Sequence, residues 1–291
     1  MIEVARNSVQ AWHIDQMGHM NVQFYVEQAM DGLAALALRL GLERKPGQQL
    51  VAANQHVRFL RELRLGMPFY VRAGVLGLAG DTLTVYQELV DSVSNKVSAT
   101  FVLDVLPRTS AAHAPCALPP AACARAEQLR MELPLRGQPK GLAAASPASA
   151  LTLEQAEALG FRPTLQTVVR AGQCDSAGWL TLRDFMGAIS NAYPQLLAEA
   201  NDVGGATLEI RFAYYRYPRR DDLLTLRSAI RHINDKTYIL RHWLFDLESG
   251  AAVACADAVA ITLDLEARRV IAIPPFMRRR LQSLLVDVQH A

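Results

Sequence analysis

Two stretches of this chain repeat one another in the same order, and nothing else in it constrains folding as strongly. Val9-Gln10-Ala11 leads to Asp15-Gln16-Met17-Gly18, and Val169-Arg170-Ala171 leads to Asp175-Ser176-Ala177-Gly178, an offset of 160 residues. Farther on, Gly80-Asp81-Thr82 opens an extended pattern ending at Asp91. Asp235-Lys236-Thr237 opens a matching one ending at Asp246, now offset by 155. Leu118-Pro119-Pro120 precedes a helical stretch with Arg125 and Leu129, just as Ile273-Pro274-Pro275 precedes one with Arg280 and Leu284. The shared order predicts a duplicated domain whose halves have diverged and differ by a loop. A length of 291 residues leaves room for two cores, since single domains cluster near ~100 to 150 residues.

Each half opens with one long apolar helix. In the first, Asn21 stands at the N-cap and Gly41 just past the end of a run from Val22 to Leu40, the positions these residues favour. Gln23, Glu27, Asp31 and Arg39 form a narrow polar stripe, while Phe24, Tyr25, Met30, Leu33, Leu36, Ala37 and Leu40 occupy the rest of the circumference. Such a helix is buried on most sides and, at 1.5 Å per residue, spans about 28 Å. Extended patterns follow at Leu50 to Leu60, Pro68 to Leu78, Thr82 to Val93 and Lys96 to Leu106, joined by short turns such as Gly80-Asp81 and Ser94-Asn95. Short links require antiparallel pairing, because a parallel crossover needs a dozen or more residues. The second half repeats the order, with a helix near Leu182 to Ala200 and strands near Thr207 to Ala213, Leu223 to Ile233, Thr237 to Leu247 and Ala251 to Leu263. The expected class is α+β, each half a curled antiparallel sheet around one helix. The expected division is an N-terminal domain at 1–107, an Ala/Pro-rich linker at 108–160 with a surface helix around Ala121 to Leu133, and a C-terminal domain at 161–291.

Charge and cysteine usage exclude several functions. A net charge of +2 from 30 basic and 28 acidic residues gives no concentrated basic face, so nucleic acid is not an expected partner. The longest apolar run, Leu33 to Leu38, stops at Arg39, far short of the roughly 20 residues of a membrane span. With Glu3 near the start and no apolar leader, the expectation is a cytoplasmic protein. Cys116, Cys123, Cys174 and Cys255 lack metal-ligand spacing and read as free thiols, so no metal is expected. The basic groups Arg278-Arg279-Arg280 and Arg216 to Arg220 could meet phosphate, but surface charge is the commoner use of such runs, and neither is taken as a site.

Chemistry concentrates between the first strand and the first helix, in Asp15-Gln16-Met17-Gly18-His19-Met20-Asn21, with Tyr25 one turn inside the helix. A helix N-terminus presents unpaired N–H groups and the positive end of the macrodipole, which can polarise a carbonyl and steady an oxyanion. The same field favours an ionised Asp15, a base or nucleophile and a poor acid. A thioester suits such a site, because a thiol leaving group with a pKa near ~8.5 departs without a strong general acid.

The run Asp15-x-x-Gly18-His19-x-Asn21-x-x-x-Tyr25 resembles the signature of hotdog-fold thioesterases, the group that includes 4-hydroxybenzoyl-CoA, acyl-CoA and acyl-ACP thioesterases. Gly18-His19-Met20-Asn21 is similar to the form found in betainyl-CoA thioesterase-like proteins. The resemblance implies a tandem double hotdog, its halves an intrachain pseudo-dimer, further homo-oligomers, and sites where units pair. It implies hydrolysis of an acyl-CoA or acyl-ACP thioester with no cofactor. Asp15 would be nucleophile or general base; His19 and Asn21 would orient water or thioester. A backbone N–H near Val22 would face the oxyanion, and Tyr25 would contact substrate. Many relatives carry a second Asn where Val22 stands. In the second half, Trp179, Thr181 and Phe185 replace His19, Asn21 and Tyr25, so one competent site per chain is expected and Asp175 is a weak candidate. Glu27 reads as part of a solvated face. The alternatives are a hydratase or dehydratase acting on acyl thioesters, for which the usual motif is lacking, and a non-catalytic acyl-CoA binder.

Overall fold

The structure is a computed structural model that describes every residue except 43–46, 143–148, 198–202, 265, 268 and 288–291. It divides into two compact units, Met1–Gln138 and Pro139–Ala291.

In the first unit, β1 (Ile2–Ser8) precedes α1 (Val22–Arg39), and β2 (Gln48–Phe59), β3 (Pro68–Ala79), β4 (Thr82–Asp91), β5 (Val97–Thr109) and α2 (Pro120–Gln128) follow. The strands lie in the order β1-β3-β4-β5-β2, every pair antiparallel, as the short links require. Asn21 caps α1 by accepting from the Gln23 N–H, and Gly41 takes the left-handed conformation, φ +85°, just past its end. Tyr25, Val26, Ala29, Leu33, Leu36 and Ala37 are buried, whereas Asp31 and Arg39 are exposed, so the predicted stripe is the outer edge of the helix.

Cross-strand register sorts the sheet into two faces. Val57, Phe101, Gln87 and Ala73 are register mates on the face under α1. The helix backbone comes close to the sheet at Gly32, where an added Cβ would stand 3.0 Å from Val71 Cγ1, 3.1 Å from Val4 Cγ2 and 3.4 Å from Gln87 Oε1. The opposite face carries Arg58, Thr100, Glu88 and Arg72 in one row. Glu88 is fully buried there, bridged by Arg72 at 2.6 Å and Arg136 at 2.6 Å, with the Tyr86 hydroxyl donating at 2.7 Å. Arg136 belongs to the chain after α2, which runs back along this face. Val75 exchanges backbone bonds with Leu129 and Met131, and Arg58 donates to the carbonyls of Arg136 and Gln138. Residues 108–138 of the stretch read as linker therefore fold with the first unit, and α2 buries Ala122 and Ala126.

The second unit follows the same plan, with α3 (Leu153–Ala158), β6 (Arg162–Val168), α4 (Leu182–Leu196), β7 (Val203–Tyr214), β8 (Leu223–Ile233), β9 (Thr237–Asp246), β10 (Ala252–Asp264), β11 (Arg269–Ile271) and α5 (Pro275–Gln282). Its strands run β6-β8-β9-β10-β7, with β11 added to β10. The expected end of the helix near Ala200 lies outside the described residues; α4 is described to Leu196. Leu151, Ala156, Phe161, Trp243, Phe245 and Val286 form an apolar cluster, so α3 and the chain after α5 help to cover one face of this sheet. Each unit is a hotdog: one long helix against one antiparallel sheet, twice in tandem.

Candidate active site

The segment between β1 and α1 is pinned before its side chains are considered. Val9 is buried and exchanges backbone bonds with Met67 and Gly66, and a single 3-10 turn follows at Ala11–His13. His13 is buried, its Nδ1 accepting from the Gln10 N–H at 3.2 Å and its ring 4.7 Å from that of Phe24. Burial pushes its pKa down, a shift the charge of Glu27 opposes. Ile14 and Met20 then form a β-bridge that closes the loop between them. Inside the loop the Asp15 N–H donates to the His19 carbonyl at 2.9 Å and the Gly18 N–H to the Asp15 carbonyl at 3.0 Å. Gly18, at φ +77°, supplies the reversal that a side-chain-bearing residue would resist.

This loop brings two of the expected residues together directly. Asp15 Oδ1 accepts from the Met17 N–H at 2.8 Å, and Oδ2 lies 3.2 Å from His19 Nδ1. Both side chains are about one-fifth exposed, Asp15 at 19% and His19 at 18%, enough to reach a ligand. Burial pushes the Asp15 carboxyl pKa up, but hydrogen bonds from His19 and the Met17 N–H, with the His19 charge, outweigh it and hold the group below its ordinary value. Asp15 is therefore an ionised carboxylate at neutral pH.

Asn21 and Tyr25 stand close in sequence, and the Asn21 Oδ1 and the Tyr25 hydroxyl serve the architecture. Asn21 Oδ1 caps α1 at 3.0 Å from the Gln23 nitrogen. The buried Tyr25 hydroxyl accepts from the Leu63 N–H at 2.8 Å and donates to the Arg61 carbonyl at 3.3 Å, tying down the β2–β3 connection. Burial raises its pKa well above the ordinary phenol value, so it stays protonated. At the first turn of α1, the Val22 N–H has no acceptor among the described residues. The connection held by Tyr25 carries a group the sequence reading did not single out: Glu62 Oε1 lies 3.8 Å from His19 Nε2.

The second unit repeats the backbone of this loop and changes its lining. Asp175 N–H donates to the Trp179 carbonyl at 2.8 Å, Gly178 N–H to the Asp175 carbonyl at 3.0 Å, and Gly178 again has positive φ. Asp175 Oδ1 accepts from the Ala177 and Trp179 N–H groups. Trp179, in the place of His19, lies under the Arg219 guanidinium at 4.2 Å. Phe185, in the place of Tyr25, meets Tyr214 and Tyr217 edge to face. Between α4 and the sheet lies a small, mainly apolar cavity lined by Phe185, Ile189, Phe212, His242 and Leu244. His242 is fully buried with Nδ1 2.7 Å from Ser228 Oγ, and burial pushes its pKa down to about 4.

Most arginines of the basic clusters already have partners. Arg216 pairs with Asp222 and Asp246, Arg220 with Asp221, Arg278 with Asp235, and Arg280 donates to the Leu196 carbonyl. Among the described residues no three His, Cys, Asp or Glu side chains are grouped to hold a metal ion, and no helix is long and apolar enough to cross a membrane.

Comparison with known proteins gives both a family match and a fold match. The family model for the Thioesterase-like superfamily matches residues 9–126 and again 169–281. No curated protein matches the sequence. Among solved structures, a Lactobacillus plantarum protein provisionally described as an oleoyl thioesterase superposes with a TM-score of 0.68 at 10% identity, covering 90% of this chain and 97% of its own. The 12:0-ACP thioesterase of Umbellularia californica gives 0.64 at 11% identity over 87% and 94%. An acyl-ACP thioesterase of Bacteroides thetaiotaomicron gives 0.60 at 9% over 88% and 96%. At these identities the likeness shows the fold.

Proposed function

Because this chain belongs to the thioesterase-like superfamily, matched over both of its halves, we propose that it hydrolyses an acyl thioester, carried on coenzyme A or acyl carrier protein, at the Asp15 loop of the first unit. The observation that carries this reading is the ionised Asp15 carboxylate, partly open to solvent, with His19 at 3.2 Å, on the loop that feeds the N-terminus of α1.

The chemistry follows from those groups. The Val22 N–H and the positive end of α1 polarise the thioester carbonyl and stabilise the oxyanion as the carbonyl carbon becomes tetrahedral. Asp15 acts as base, taking a proton from the attacking water, or as nucleophile, forming an anhydride that water then opens. In either case the carbon–sulfur bond breaks and the thiolate recovers one proton, giving acid and thiol. Thiolate is a good enough leaving group that one carboxylate suffices. His19 orients Asp15, and Asn21 and Tyr25 set the helix start and the neighbouring connection against which the acyl thioester lies. Asp175, with an aromatic lining in place of the polar partners, is not assigned turnover.

Free-thiol release measured over panels of acyl-CoA and acyl-ACP tests the proposal. The wild type releases thiol, and Asp15→Asn loses at least about 100-fold in kcat/KM. Altered enoyl absorbance without thiol, or tight acyl-CoA binding without either, would defeat it in favour of a hydratase or of a sensor.

A further inference from the structure

We propose that Glu62 is a positioning residue of this site: from the connection between β2 and β3 it engages His19 Nε2 and holds the imidazole with Nδ1 on the Asp15 carboxylate. The inference rests on Asp15 being the catalytic carboxylate.

Geometry supports it first. His19 stands between two carboxylates, Asp15 Oδ2 at 3.2 Å from one ring nitrogen and Glu62 Oε1 at 3.8 Å from the other. Glu62 is held in place on both sides, because the Tyr25 hydroxyl bonds the backbone of Arg61 and of Leu63, and the Leu63 carbonyl accepts from the Met20 N–H at 2.8 Å. One buried hydroxyl from α1 and one amide from the Asp15 loop thus fix the residue that faces His19.

The second unit supplies an internal comparison. Its Leu180 N–H donates to the Pro218 carbonyl as Met20 does to Leu63, and Val169 bonds Asp221 and Asp222 as Val9 bonds Gly66 and Met67. Both matches place Pro218 opposite Leu63, and so Tyr217 opposite Glu62. The three polar residues His19, Glu62 and Tyr25 are therefore replaced together by Trp179, Tyr217 and Phe185, with Phe185 packed edge to face on Tyr217 at 5.6 Å. Glu62 changes with the set to which His19 belongs, as expected of a working partner and not of an incidental surface acid.

A carboxylate at each ring nitrogen favours the doubly protonated imidazolium, which donates toward both. The charged and titratable groups facing this cluster include Asp15 from its own loop, Glu62 and Arg64 from the β2–β3 connection, and the Tyr25 hydroxyl of α1, whose charge environment includes both Glu62 and Asp15. Arg64 lies 3.7 Å from the second Glu62 oxygen and partly offsets its charge.

The test combines NMR titration of His19 with kcat/KM against pH in the full chain. In Glu62→Gln, His19 should titrate lower by about half a unit or more, with the alkaline limb of the profile moving down with it. kcat/KM should fall by about three- to tenfold, and Glu62→Asp should recover most of the loss. In a His19→Asn background, Glu62→Gln should change kcat/KM less than about twofold. An unmoved His19 titration, or an equal loss in both backgrounds, overturns the proposal for Glu62. Turnover persisting in Asp15→Asn would instead overturn the site, whatever His19 does.

Discussion

The Asn21 side chain accepts from the Gln23 N–H, and one of the orphan donors of α1 is satisfied by it. Asn21→Ala should lower the unfolding free energy by about 1 kcal/mol, whereas Asn21→Asp should keep the cap, both read by urea denaturation. A loss of turnover in Asn21→Asp at unchanged stability would show that the amide also meets the substrate. Sequence spacing was sufficient to bring out Asp15, Gly18 and His19, because a loop closed by one β-bridge places near neighbours together. It could not bring out Glu62, whose approach to His19 depends on where the β2–β3 connection folds back. It also could not show that the Tyr25 hydroxyl would be spent on the backbone of that connection, since a tyrosine inside an apolar helix reads the same whichever way its oxygen points.

The secondary elements were legible to within a few residues wherever apolar periodicity was strong, as in α1, β3 and β8. Among the pieces that escaped were α3, β6, β11 and the run after α2, short or polar segments that gain their structure from the sheet they cover or extend. Polar residues beneath the helix were equally invisible. Gln87 is fully buried on the face under α1, and its side-chain amide has no partner among the described residues. An unpaired buried amide costs on the order of 1–3 kcal/mol, so Gln87→Met, of similar volume, should raise the unfolding free energy by about 1–2 kcal/mol. A fall in the denaturation midpoint would show instead that the Gln87 amide stabilises the fold.

For the whole molecule, the duplication read from residue order corresponds to two compact units, each with its own helix, sheet and buried core. Chain length and repeated order carry that information; where the intervening chain divides does not show in composition, because Ala- and Pro-rich sequence serves equally as linker and as cover. The second unit should respond to acid through His242, fully buried, its pKa pushed down by burial to about 4 from 6.5. The unfolded chain then binds the extra proton between those values. The His242 contribution should therefore cost up to about 3 kcal/mol of stability as pH drops through that window, and that contribution levels off below it. Fluorescence of the fully buried Trp243 reports this unfolding, and His242→Gln should flatten the dependence.

The twin loops have a consequence for how such a chain can change. Their frame is maintained by main-chain bonds and a left-handed glycine, which are indifferent to whether the flanking side chains are polar or aromatic. Loss of reactivity in one copy therefore need not loosen its architecture, so an inert half can persist as sound scaffolding while chemistry is retained or retuned in its sibling.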